Sequence, residues 1–473
     1  MSPAPKPKFT EGPTMRHVAV MTGTGMIGLM AVFAVDALNL FYISLLGQAA
    51  LAAAIGFAGT VQFFTISMAI GLAIAAAALV SRAIGAGDRA GARRLAASSL
   101  VLLTAALTLV TAGVWVFRAD ALAALGARGE TLAIGSDYLA VALLGLPPLG
   151  AGMVFASLLR SVGDARRAML VTLVGGAAGA ALDPLFIFGL GMGVDGAAIS
   201  SLMARLVIMG VGWWGASRVH DLVARPRLAD AAADARALFA IAGPAVATQM
   251  STPVGMAALT AAAAPFGDAA VAGWAVVMRL SALAFGGVFA LSGAVGPILG
   301  QNVGARRPDR VRMAYRDALI FCAGYVMLAW GGLALARPWV VAGFGLEGAG
   351  VAVADAFLFA GAGFFVFTGA LFVANAAFNN LGRPLWATAL NWSRDAAVLP
   401  ALALTLPGLM GPAGVVAAQA GAGLVMGTVA ATLGWLAIDR LAAKAVAAGP
   451  RPAETPPLAS GRAALAAAAR EEG

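Results

Sequence analysis

The chain has 473 residues, of which 61% are hydrophobic and only 11% charged. A soluble protein of this length needs far more charged surface, and runs of roughly 20 apolar residues recur from end to end, so a polytopic all-α membrane protein is expected. The net charge of +9 would suit a nucleic-acid binder, but loop topology accounts for it. No alternating segments of about 10 residues argue for a barrel.

Residues 1–16 form an N-terminal tail with positive charge and no small-residue cleavage site after a short apolar core, so the first span should stay in the mature protein. Twelve spans follow, at about 17–44, 49–80, 92–117, 131–158, 168–189, 195–217, 237–264, 269–299, 313–336, 351–379, 385–406 and 412–438. Several exceed a perpendicular crossing and imply tilt or protrusion. The linker 218–236 divides an N-terminal six-helix lobe, 17–217, from a C-terminal six-helix lobe, 237–440. The tail 441–473 is rich in Pro, Ala and charge and reads as disordered.

With the N-terminus inside, the outer loops carry only Arg118, Arg128 and Arg337. Arg205, Arg279 and Arg394 fall within spans, and every other one of the 31 Lys and Arg lies on the inner side. That bias predicts a multi-pass protein of the cytoplasmic membrane with both termini in the cytoplasm. The single cysteine, Cys322, lies in an apolar run, which leaves no disulfide framework and no thiolate metal site.

The halves repeat. Gly85 and Gly304 stand 219 residues apart, as do Gly163 and Gly382; Gly193 and Gly411 stand 218 apart, Gly47 and Gly267 220. Six spans per half give both copies the same orientation, so a pseudo-twofold axis along the membrane normal and a central cleft between the lobes are expected.

Several segments resemble the multidrug and toxic compound extrusion (MATE) transporters. They are Val35-Asp36-Ala37 followed by Gly47 and Ala49-Ala50-Leu51-Ala52-Ala53, then Ile84-Gly85-Ala86-Gly87-Asp88, and Leu182-Asp183-Pro184 with Leu185-Phe186-Ile187-Phe188. Gly193-Val194-Asp195-Gly196-Ala197-Ala198 and Gly300-Gln301-Asn302-Val303-Gly304-Ala305 continue the set, over roughly residues 17–440. The resemblance implies twelve helices in two lobes, alternating access driven by an H⁺ or Na⁺ gradient, and export of organic, often cationic, compounds.

An ionisable residue in a membrane helix is costly and is a functional-site hypothesis by default. Asp36 lies about 12 Å below the outer end of the first span, and Asp183 and Ser201 each about 9 Å below the outer ends of theirs. Two carboxylates close together in low dielectric cannot both stay ionised cheaply, so one holds a proton or the pair holds a cation. Asp36, Asp183, Ser201 and Asn39 are therefore the expected cation-coupling set; the alternative is that Asp36 bonds to nearby hydroxyls or to Asn39 as structure. The family resemblance points to the same two acids. Many relatives with a sodium-type site carry Asn one turn before the second acid, where this chain has Gly179, so H⁺ is favoured over Na⁺ at Asp36 and Asp183.

The second lobe has Met256 opposite Asp36 and Leu402 opposite Asp183, which predicts coupling in one lobe only. Asp395 beside Arg394 is the exception, and adjacent helix residues do not face one another well. Gln62, Gln249, Asn375 and Asn391 are polar cleft candidates because an amide in lipid is costly, and Trp274 and Met278 are apolar ones suited to flat hydrophobic cations. No P-loop, HExxH or Gly-x-Ser-x-Gly pattern occurs, which leaves an ATP-driven pump or an intramembrane enzyme without its motif. The expectation is a secondary active antiporter without cofactors, probing no nucleic acid, with small organic molecules and membrane lipids as partners and a monomeric state. The alternative is an exporter or flippase of a lipid-linked or amphiphilic metabolite.

Overall fold

The computed structural model describes residues 7–44 and 49–447. The side chain of Asp36, residue Gly47, residues 1–6 of the N-terminal tail and the tail from 448 onward lie outside the described residues.

The first lobe is built from α1 (Thr14–Ser44), α2 (Ala49–Gly85), α3 (Arg89–Val116), α4 (Gly129–Ser161), α5 (Ala165–Gly189) and α6 (Gly193–Val219). The second comprises α7 (Leu228–Ala263), α8 (268–304), α9 (Pro308–Gly343), α10 (Gly348–Asn380), α11 (384–410) and α12 (Ala413–Ala447). Nine of these helices are long and apolar enough to cross a membrane, and the bent α8 makes ten among the described residues. The other two carry the most polar mid-span sequence. α7 holds Thr248, Gln249, Ser251 and Thr252 between Pro244 and Pro253, and a π-helical turn bearing Arg394 and Asp395 divides α11.

The repeat is visible in the backbone. Left-handed conformations recur 219 residues apart at Gly87 and Arg306, Gly126 and Gly345, Gly129 and Gly348, and Gly163 and Gly382. A spacing match between glycines alone would prove little in so Gly-rich a chain; the same left-handed turn at each matched position, Arg306 included, makes the two halves structural copies. Asp88 and Asp164 then cap the next helices, accepting from the Gly91 and Arg167 backbone N–H groups at 2.7 and 3.0 Å.

Glycines bring the helices of the two lobes into backbone contact. A Cβ on Gly71 of α2 would sit 2.6 Å from the Val246 nitrogen of α7. At the end of the bundle where α1 begins and α12 ends, a Cβ on Gly85 would meet the Gln301 carbonyl oxygen at 2.0 Å, and one on Gly304 the Arg82 carbonyl oxygen at 2.0 Å. Without hydrophobic driving force between helices in lipid, such close approach is what packing energy requires. This end also carries Arg82, Arg160, Arg307 and Arg310, and is called the basic end below.

α8 bends by 46° at Phe285, where Gly286 and Gly287 follow. Gly287 lies under the Tyr325 ring and Phe285 stacks on Phe365 at 4.1 Å, so the bend is packed into the core of the second lobe.

Candidate functional site

Asp183 is 2% exposed and lies near the end of α5 opposite the basic end, just before Pro184 and a π-helical turn over Leu185–Gly189. Small residues place its partners. Gly176 and Gly179 of α5 leave room for Val35 of α1, with would-be Cβ contacts at 3.3 and 3.4 Å. That approach brings Asn39 alongside Asp183, and Asn39 Nδ2 donates to Oδ2 at 3.0 Å. The other carboxylate oxygen, Oδ1, accepts a short hydrogen bond from the Ser200 hydroxyl of α6. Each carboxylate oxygen thus takes one neutral donor, and no ion pair to Asp183 occurs among the described residues. Asp36 stands on α1 one turn before Asn39, with its side chain outside the described residues.

The structure corrects the hydroxyl. Ser200, fully buried, reaches Asp183, and Ser201, one position on, points about 100° away around α6 and is only partly buried. Two adjacent serines left the helical phase undecided, although Ser200 continues the buried face of Gly196 and Ala197.

Arg205, five residues beyond Ser200, hydrogen-bonds to other helices of the first lobe. It donates to Gln62 Oε1 at 2.7 Å and to the Ala142 carbonyl oxygen at 2.8 Å. Gln62 is therefore a buried partner inside the first lobe and not an open cleft group.

The cleft candidates of the second lobe divide similarly. Trp274 is 2% exposed in the lobe's core, beside the contact of Gly273 with Gly350, so it packs and does not line an open cleft. Met278 is partly buried against the same core, and Gln249 is partly buried on α7. Asn391 Nδ2 donates to Asn375 Oδ1 at 3.0 Å and to the Ala387 carbonyl oxygen at 2.8 Å, so Asn391 is engaged inside the second lobe.

A second buried carboxylate lies beyond them. Asp395 is 2% exposed, and the adjacent Arg394 grips it with two hydrogen bonds, Nε to Oδ1 at 2.7 Å and Nη2 to Oδ2 at 3.0 Å. The expectation that neighbours on a helix do not meet is overturned here. The pair sits on the π-helical turn Ser393–Val398, and the long arginine folds back in bidentate fashion. Ser251 of α7 adds a hydrogen bond to Oδ2 at 2.7 Å, and Gly255 leaves space for the carboxylate. Among the described residues no cluster of three or more His, Cys, Asp or Glu could hold a metal ion.

A buried acid on the fifth helix of a six-helix lobe, facing the first and sixth helices of a chain whose halves repeat, is the arrangement of a membrane transporter. The MatE family model matches residues 25–185 and 244–395, one match in each half, and the chain belongs to this family of membrane transporters. A FAD transporter of Shewanella oneidensis is 30% identical over 315 residues, 65% of this chain and 70% of that one. The multidrug export protein MepA of Staphylococcus aureus is 29% identical over 203 residues, 42% of this chain and 44% of that one. The fold is also that of a solved MOP superfamily transporter from Pyrococcus furiosus, with a TM-score of 0.84 at 23% identity over 92% of this chain and 98% of the other. An outward-facing multidrug resistance MATE transporter superposes equally well, at 0.84 and 24% identity over 93% and 99%.

Proposed function

We propose that this chain is a secondary active exporter of amphiphilic organic compounds, driven by H⁺ entering through the first-lobe site of Asp183, Asn39, Ser200 and Asp36. The observation that carries the reading is the pairing of Asp183, which is buried and, among the described residues, takes one neutral donor on each oxygen and no ion pair. Such a carboxylate is costly to keep ionised in lipid, so its charge is neutralised by a small cation on each cycle. A hard cation such as Na⁺ needs several oxygen ligands, whereas the described partners present an amide N–H and a hydroxyl proton, and Gly179 offers none. Protonation requires only the carboxylate. Binding the proton changes the hydrogen bonds that tie α5 to α1 and α6, which gives the ion a lever on helix packing.

In this reading the basic end faces the cytoplasm of a cytoplasmic membrane, both described termini lie on that side, and the chain works as a monomer. The test is uptake of a fluorescent organic cation into everted vesicles, with ΔpH and ΔpNa imposed separately. The proposal expects ΔpH alone to drive transport. Transport driven by ΔpNa alone, or persisting with both gradients collapsed, overturns it.

A second reading has one observation in its favour, the FAD transporter among the relatives. In it the cargo is an anionic amphiphilic metabolite of flavin dinucleotide type. Competition of FAD with the dye in the same vesicles separates the two.

A further inference from the structure

The segment before α1 is built into the seam between the lobes. The segment 7–12 belongs to the first lobe by chain continuity, yet its backbone is held by the second. The Phe9 N–H donates to Gln301 Oε1 at 2.9 Å, and Asn302 Nδ2 donates to the Phe9 carbonyl at 3.1 Å. Arg310 Nη2 lies 3.0, 3.1 and 2.9 Å from the carbonyl oxygens of Phe9, Glu11 and Gly12, and Arg307 donates to that of Thr10 at 2.6 Å.

The same few residues also grip the first lobe. Lys8 Nζ donates to the Gly163 carbonyl at 2.8 Å. Gln301, which holds Phe9, donates through Nε2 to the Ser161 carbonyl at 2.7 Å, closing a bridge from α8 to α4. The Phe9 side chain is 1% exposed, clusters with the core of the second lobe, and lies against Gly163 and edge-on to His17 at 5.3 Å. Thr14 then hydrogen-bonds to Asp317 of α9.

These contacts lie beneath the place where α2 and α8 meet backbone to backbone at the basic end. The cleft cannot open there while they persist. Separating the lobes must pull Phe9 from an apolar site and strip the arginine and amide donors from a run of carbonyls. Interior packing of this kind has discrete arrangements and does not stretch continuously.

We propose that residues 7–12 are a latch that holds the basic end closed, so that opening on that side requires release of Phe9 and of the carbonyls gripped by Arg310. The latch acts on the equilibrium between the closed and open basic end, independently of which ion or cargo is carried.

The test is the distance between the lobes, measured by double electron–electron resonance on the full chain in nanodiscs. Spin labels go on Ala90→Cys at the start of α3 and Asp309→Cys at the start of α9, exposed positions that the repeat relates by 219 residues. Cys322 is changed to Ala. With the latch intact, the short distance dominates. Phe9→Ala and Arg310→Gln each raise the long-distance fraction about tenfold, because the lost contacts exist only in the closed state. Arg310→Lys keeps the charge but loses the Nε hydrogen bond to Asn302 Oδ1, and shifts the fraction in the same direction by less; it serves if Phe9→Ala does not fold. Unchanged distances in both Arg310 variants, or in a folded Phe9→Ala protein, overturn the proposal.

Discussion

Asp183 and Asp395 are the same kind of residue on the same helix of the two repeats, and their surroundings give them opposite chemistry. Both are 2% exposed and both accept from a serine hydroxyl. Among the described residues Asp183 otherwise accepts from Asn39, whereas Asp395 is clamped by Arg394. Their registers differ as well. Asp183 comes 18 residues after the start of α5 at Ala165, and Asp395 11 after the start of α11 at Pro384, which places Asp395 about 10 Å nearer the basic end at 1.5 Å per residue. A carboxylate beside a buried guanidinium is compensated by it, and removing either partner strands the other. The repeat thus holds a carboxylate with neutral donors in one lobe and a carboxylate paired to an arginine in the other, and the proposed proton site is the former.

The comparison breaks most visibly in the second lobe. Asp395→Asn should cost about 3–5 kcal/mol of stability by stranding Arg394 in the lobe interior. Replacing both, as Arg394→Met with Asp395→Leu, should recover most of that loss. Thermal unfolding in detergent checks both; a single variant as stable as wild type would mean that the pair is not buried as a unit.

In the first lobe, Ser200→Ala should remove a hydrogen bond to a charged group, worth about 1.5–3 kcal/mol, and move the pH profile of transport. Ser201→Ala should leave that profile in place. The reverse outcome would restore the helical phase expected from sequence.

The smallest effect lies in the connection between α4 and α5. Burial alone would raise the Asp164 carboxyl. Hydrogen bonds from His220 and from the backbone and side chain of Arg167, with the Arg167 charge, outweigh it and hold the group well below the usual carboxylate range. The stabilisation is thus fully present above the unfolded-state value of about 3.9 and is lost only as pH falls through the lower folded value. The gap in melting temperature between wild type and Asp164→Asn should not narrow between pH 7 and pH 5 and should narrow below about pH 4. A gap that closes between pH 7 and 5 would contradict the assignment.

Much of this molecule is legible in its sequence. Apolar runs and the 219-residue offset locate twelve helices and two lobes, because the bilayer fixes span length and duplication preserves turn geometry, as Gly163 and Gly382 show. Asp183 stands out because an acid amid apolar residues must have a reason. Its partner was set by helical phase, which a Ser200–Ser201 pair does not reveal. The Arg394–Asp395 clamp depends on a π-helical turn that no periodicity announces. Trp274 reads equally as a ligand face or a core residue until the Gly273–Gly350 contact is known. The seam at Phe9 is held largely through backbone carbonyls, which carry no sequence signature at all.

The most direct measurement compares initial rates of ΔpH-driven uptake into everted vesicles for wild type, Asp183→Asn and the double variant Arg394→Met with Asp395→Leu, at matched amounts of folded protein. The account predicts that Asp183→Asn loses about 100-fold or more, consistent with removal of an obligatory proton carrier, and that the double variant stays within about threefold of wild type. Wild-type rates in Asp183→Asn, or loss of coupling confined to the double variant, would contradict it.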